Sequence, residues 1–136
     1  MKPTLNLVAP LLFAAASCTL ADQAPQSAAN SAAYAVCMDN SAGVTSTMLD
    51  CMTRETALHD LRLNRAYQAA LGSLEDGAAA QLRNAQRAWI KFRDAECALH
   101  SRLTGGSIDR LNGGACMLDM TRERAKQLQQ LIHRDV

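Results

Sequence analysis

The chain is poor in the features that announce most activities. Aromatic residues make up only 4% of its 136 positions. No long stretch alternates apolar and polar residues with the two-residue period of a half-buried strand, which argues against a sheet. Charge of one sign is missing too. Arg outnumbers Lys eleven to three, but Asp and Glu cancel them to a formal +1. No strong field therefore draws in nucleic acid or an anionic membrane. There is no internal repeat, and no convergent catalytic set.

What is abundant is Ala, Leu, Gln and Arg, all good helix formers. The most regular stretch is Leu82 to Cys97. Leu82, Ala85, Trp89 and Phe92 recur at steps of three, four and three, and Leu99 and Leu103 continue the line. That spacing predicts one apolar stripe on an α-helix. The chain length suits one domain with one core.

Met1 to Ala21 reads as a secretory signal, with Lys2 at its start and an apolar run from Leu5 to Ala16. The run is too short and too Ala-rich for a membrane span. Two processing routes compete. Cleavage after Ala21 leaves a soluble product, periplasmic or secreted. Alternatively Ala15-Ala16-Ser17-Cys18 resembles a bacterial lipoprotein box with Ala15 where Leu is usual, and Cys18 carries a lipid anchor. Only that second route brings the protein to a membrane.

Residues 22–33 read as a flexible leader rich in Ala, Ser, Gln and Asn, and residues 34–136 as the helical domain. Tyr34 to Val44 reads as an irregular lead-in with one short turn. A first long helix is expected from Thr45-Ser46-Thr47 to about Leu74. Asp50 sits three residues after Thr47 in an approximate capping box, and Asp50 and Arg54 are spaced to pair. Its apolar face comprises Met52, Leu63, Tyr67, Leu71 and Leu74, with Leu58 and Leu61 beside it. A second helix is expected from about Ala78 to Leu103, with Asp76 as its cap. The third runs from about Ala115 to His133, its inner side marked by Leu118, Ala125, Leu128, Leu131 and Ile132. The segment Thr104 to Gly114 between them reads as a Gly-rich loop, with one helical turn at Ile108 to Leu111. The expected fold is all-α, an antiparallel three-helix bundle with a disulfide-stapled end.

Outside the signal the cysteines are four: Cys37, Cys51, Cys97 and Cys116. An even number in a small exported domain reads as two disulfides. Helices of more than about twenty residues exceed roughly 30 Å, so all four must gather at one end to pair. Local pairing (Cys37 with Cys51, Cys97 with Cys116) and crossed pairing both satisfy that condition. Cys97 and His100 share a helical face, and with Cys116 they are candidate metal ligands. Pairing the cysteines leaves neither a metal site nor a free thiolate nucleophile. The reading calls for no metal and no cofactor. Glu96 lies on the Trp89 stripe, either at the wet end of the bundle or paired with Arg93 or Arg122. Arg93 is expected to lay its stem on the core, and Tyr67 to pack against Trp89.

The pattern resembles the LprI-like lysozyme-inhibitor domain family. The residues that carry the likeness are Cys37; Met48-Leu49-Asp50-Cys51; Leu63-Asn64 with Tyr67; and Leu82 with Gln86, Trp89, Arg93 and Cys97. Gly105-Gly106-Ser107, Cys116 and Thr121-Arg122 with Leu128 complete it. The resemblance spans about Tyr34 to Ile132. It implies a small, exported, mostly helical bacterial protein that binds lysozyme or another cell-wall hydrolase and is not an enzyme. A lysozyme cleft carries catalytic carboxylates. The loop residues Gly105, Gly106, Ser107 and Arg110 are the candidates to enter one. The competing reading is a general periplasmic interaction module with no effect on lysozyme.

Overall fold

A computed structural model describes residues 29–133. The expected signal segment, Cys18 and most of the expected leader lie outside those residues. All regular structure among the described residues is helical. The elements are α1 (Ala32–Asn40), α2 (Thr45–Ser73), α3 (Asp76–His100) and α4 (Ile108–Ile132). The all-α expectation holds, with a short fourth helix added where an irregular lead-in was expected.

α1 forms because Ser31 caps it. The Ser31 hydroxyl accepts from the Tyr34 amide at 3.0 Å, satisfying one of the orphan donors of the first turn. α2 starts at Thr45 without any side-chain cap, so the box expected at Thr47 and Asp50 is not formed. α3 likewise lacks a side-chain cap; Asp76 stands in its first turn, where a negative charge suits the helix dipole.

The long helices run up, down and up. α2 and α4 are thus parallel, and α3 is antiparallel to both. α2 and α3 meet near their short connection, where Leu63, Ala66 and Ala70 pack with Leu82, Ala125 and Leu128. Trp89 and Tyr67 lie against this same cluster. Toward the other end α2 and α3 splay, and α4 fills the space between them. The chain is therefore organised around α4, which packs on both of its long neighbours.

Three sequence expectations are corrected here. The loop after α3 is shorter than Thr104 to Gly114: α4 begins at Ile108, so Arg110, Gly113 and Gly114 are helical. The apolar stripe of α3 is split. Leu82 is buried and Trp89 half-buried, but Ala85 is exposed, and Phe92, Leu99 and Leu103 are 55–58% exposed. On α2, Leu58 and Leu61 also face outward. The inner line of α2 instead begins with Cys51, Met52, Glu55 and His59 before reaching Leu63.

Two disulfides staple one pole. Cys37 bonds Cys51 with Cα atoms 5.8 Å apart, and Cys97 bonds Cys116 with Cα atoms 5.4 Å apart. The first ties α1 to α2; the second ties the end of α3 to the start of α4. Gly113 and Gly114 make the close approach there possible. A Cβ on Gly114 would stand 3.0 Å from Leu49 Cδ2, and one on Gly113 would stand 3.1 Å from Ser101 Cβ.

Candidate partner-binding site

The α3–α4 connection is short, exposed and held in one shape. α3 ends at His100, and residues 101–108 are all exposed. Gly105 has φ +75°, which favours glycine. Asp109, in the first turn of α4, is buried. Its carboxylate accepts from the Thr104 amide at 3.0 Å, the Thr104 hydroxyl at 2.9 Å and the Gly105 amide at 2.8 Å. Burial alone would raise the Asp109 carboxyl, but these donors overcome it and hold it below its ordinary range. The loop is thus folded back onto its own helix. Ser107 and Arg110 stand exposed on its outer side, with Leu103 and Ile108. Asp109 was passed over in the sequence because it sat inside an apparent loop. The helical turn expected at Ile108 to Leu111 placed it near a helix start, but no sequence feature showed its side chain folding back onto Thr104 and Gly105.

The motif residues of α3 form a second arrangement. Gln86 is buried, and its side-chain oxygen accepts from Arg124 Nε at 3.0 Å. The Arg124 guanidinium lies 5.7 Å from the Trp89 ring centre, and that of Arg93 lies 5.0 Å from it. Cations over an indole are attracted by its quadrupole. Burial lowers the Arg124 pKa, but an arginine so placed remains charged. Arg93 also binds Asp94 at 2.8 Å. Glu96 therefore pairs with neither Arg93 nor Arg122; its nearest partner is His100 at 3.5 Å. Leu63 is in the core and Tyr67 is half-buried beside it, whereas Asn64 is exposed and bonds Asp60 at 3.0 Å. The family motif thus spreads over core, rim and surface and does not converge on one point.

Where α2 and α3 splay, a groove of about 440 Å³ opens over α4. Met52, Ala57, Gly114 and Met117 give it an apolar lining, with Asp60 and Arg93 also on it. His100 lies near the Cys97–Cys116 bridge, whose formation uses both thiols as a disulfide. Among the described residues no group of three or more His, Cys, Asp or Glu side chains is placed to hold a metal. No described helix is long and apolar enough to cross a membrane.

A polar cluster that the sequence reading missed lies between α1 and α2. Glu55 and His59 are both buried. Glu55 accepts from the Ser31 amide at 2.7 Å and the Ser31 hydroxyl at 2.6 Å. Arg122 donates to Asn30 at 3.0 Å. Asn30 and Ser31, at the end of the expected leader, are therefore tied to the domain. Burial alone would raise the Glu55 carboxyl, but the Ser31 bonds, His59 and Arg62 bring it below its ordinary value. Burial and then Arg62 push His59 down, so it is neutral. Its Nδ1 lies 3.3 Å from Arg62, a donor, which puts the ring proton on Nε2, 3.3 Å from Glu55. Nε2 is outside hydrogen-bond geometry there, as the buried Thr121 hydroxyl is to any partner.

Fold and site together define a small helical domain, stapled at one pole by two disulfides, that presents a clamped loop. The family described as Lysozyme inhibitor LprI matches residues 37–128, and the chain belongs to that family. An uncharacterized protein of Rhizobium meliloti (strain 1021) is 28% identical over 96 residues, 60% of this chain and 69% of that protein. No solved structure matches the chain.

Proposed function

We propose that this protein is exported and acts without catalysis, by seating its α3–α4 loop in the cleft of lysozyme or a related wall hydrolase. Membership of the LprI family supports the target. The observation that carries the loop is the Asp109 clamp, which fixes Thr104 and Gly105 before any partner arrives. A preorganised loop loses little conformational entropy on binding. Arg110, one residue beyond Asp109, offers a guanidinium to the carboxylates of such a cleft, and Ser107 a hydroxyl. The two disulfides suit an oxidising compartment. Export rests on the Met1–Ala21 segment, and a lipid anchor at Cys18 is the alternative to a soluble periplasmic or secreted form.

Titration of lysozyme turnover with the oxidised protein tests this reading. Stoichiometric inhibition is expected. Replacing Ser107 and Arg110 together with Ala is expected to weaken it at least about tenfold, since one charge-assisted hydrogen bond contributes about 1.5–3 kcal/mol. Undiminished inhibition by that variant removes the loop from the mechanism. No inhibition by the unmodified protein removes lysozyme as the target.

A further inference from the structure

The exposed side of α3 is patterned like a helix that has a partner. Ala85, Ala88, Phe92, Ala95 and Leu99 are all exposed, at successive steps of three, four, three and four. Those steps are the a and d positions of a heptad, and they persist over about 21 Å of helix at 1.5 Å per residue. The seam is distinct from the buried line of Ala79, Leu82, Gln86 and Cys97 that faces the rest of the domain. A helix needs only one apolar stripe to dock on its own fold; the described residues leave this second one exposed, with Phe92 at the edge of a groove against Ala115, Cys116 and Met120 of α4.

Charge beside the seam selects the occupant. With Phe92 at a, Lys91 takes the preceding g position and Glu96 the following e position. In a parallel pair, each g residue faces the e residue five positions later on its partner. Lys91 of one copy thus meets Glu96 of the other, twice across the two-fold axis. An antiparallel pair brings g to g and e to e. Asn84, Lys91 and Ala98 then face each other, as do Trp89 and Glu96, and no opposite charges meet. Lys91 has no ion pair among the described residues, and Glu96 has only the exposed His100.

We propose that this chain forms a parallel homodimer through α3, with the Ala85–Leu99 seam at its centre and reciprocal Lys91–Glu96 pairs at its edges. The two-fold axis runs along α3, so both α3–α4 loops emerge at the same end. This inference stands independently of the lysozyme reading.

Sedimentation of the full chain, expressed through an exporting route with both disulfides formed, tests it across micromolar concentrations at low salt. A reversible monomer–dimer equilibrium is expected. Leu99→Glu is expected to raise the dissociation constant at least about tenfold. Its helical circular dichroism should not change, because Leu99 is already 55% exposed. Lys91→Glu and Glu96→Lys should each weaken the dimer, and the double exchange should restore it. A chain that stays monomeric throughout, a Leu99→Glu variant that dimerises like the parent, or a double exchange no better than either single would each overturn the proposal.

Discussion

Two glycines in neighbouring helices have opposite parts to play. Gly113 sits in α4 where that helix crosses the last turn of α3. An added Cβ would stand 3.1 Å from Ser101 Cβ and 3.4 Å from the Cys97 carbonyl oxygen, and would clash with the Ser101 hydroxyl. The disulfide one turn away keeps the two helices from separating to make room. Gly72, near the end of α2, has nothing within 4 Å of the same position. A Gly-to-Ala change gains up to about 1 kcal/mol of helix propensity wherever space allows, while overpacking costs about 1–3 kcal/mol. Gly113→Ala is therefore expected to lower stability by about 1–2 kcal/mol, and Gly72→Ala to raise it by about 0.5 kcal/mol. Urea denaturation of the two variants beside the parent reads the difference. Two shifts of the same sign would show that helix propensity, not the crossing, sets the outcome.

Elements were legible in the sequence where propensity and period agreed, and misread where a tertiary contact overrode them. α2, and the existence of α3, follow directly from runs of helix formers. The start of α4 does not, because Gly113-Gly114 and the preceding glycines look like a loop; only the crossing with α2 and α3 explains glycine inside a helix. The α3 stripe was misassigned because periodicity shows that a face is apolar without showing what covers it. Gln86 is buried because Arg124, distant in sequence and itself polar, is there to receive it, a pairing no local pattern shows; Arg93 lies over Trp89, one turn back on the same helix. Of the candidate site, Ser107 and the loop glycines could be read, but not the clamp that fixes them. Glu55 and His59 were likewise hidden, since the hydrogen bonds that help a buried carboxylate there come from Ser31, outside the long helices. That junction gives α1 a pH dependence. His59 lies below its ordinary value of 6.5, so the unfolded chain takes up that proton first as pH falls. Its contribution is complete above 6.5 and is lost as pH drops through the lowered folded value. Glu55, also lowered, contributes above its ordinary 4.5 and is lost at still lower pH. Arg62 and Arg122 add repulsion to a protonated His59. Both steps have the same sign. Acidification should release the Ser31 end of α1 before the rest of the bundle opens, seen as early loss of amide protection at the start of α1. His59→Gln should flatten the upper part of the stability profile. A stability that rises on acidification through pH 6 would contradict the assignment.

At the scale of the molecule, the two disulfides are similar in span but not in what they join. Cys37–Cys51 closes a separation of 14 residues and Cys97–Cys116 one of 19. By chain entropy alone each contributes about 3 kcal/mol. That figure applies only if the segments joined fold as one unit. α3 and α4 share the core and the pole, so their bridge constrains the global unfolded state. α1 buries no residue of its own fully, and among the described elements it packs on α2 alone. It is an outlying element able to open locally while α2, α3 and α4 stay folded. Replacing Cys97 and Cys116 together with Ala is expected to lower the free energy of global unfolding by about 2–4 kcal/mol. Replacing Cys37 and Cys51 should cost less than half as much in that transition and appear instead as an undocked α1 in hydrogen exchange. Equal losses from the two double variants would mean that α1 belongs to the cooperative unit, with its tether to Glu55 as firm as the core beneath it.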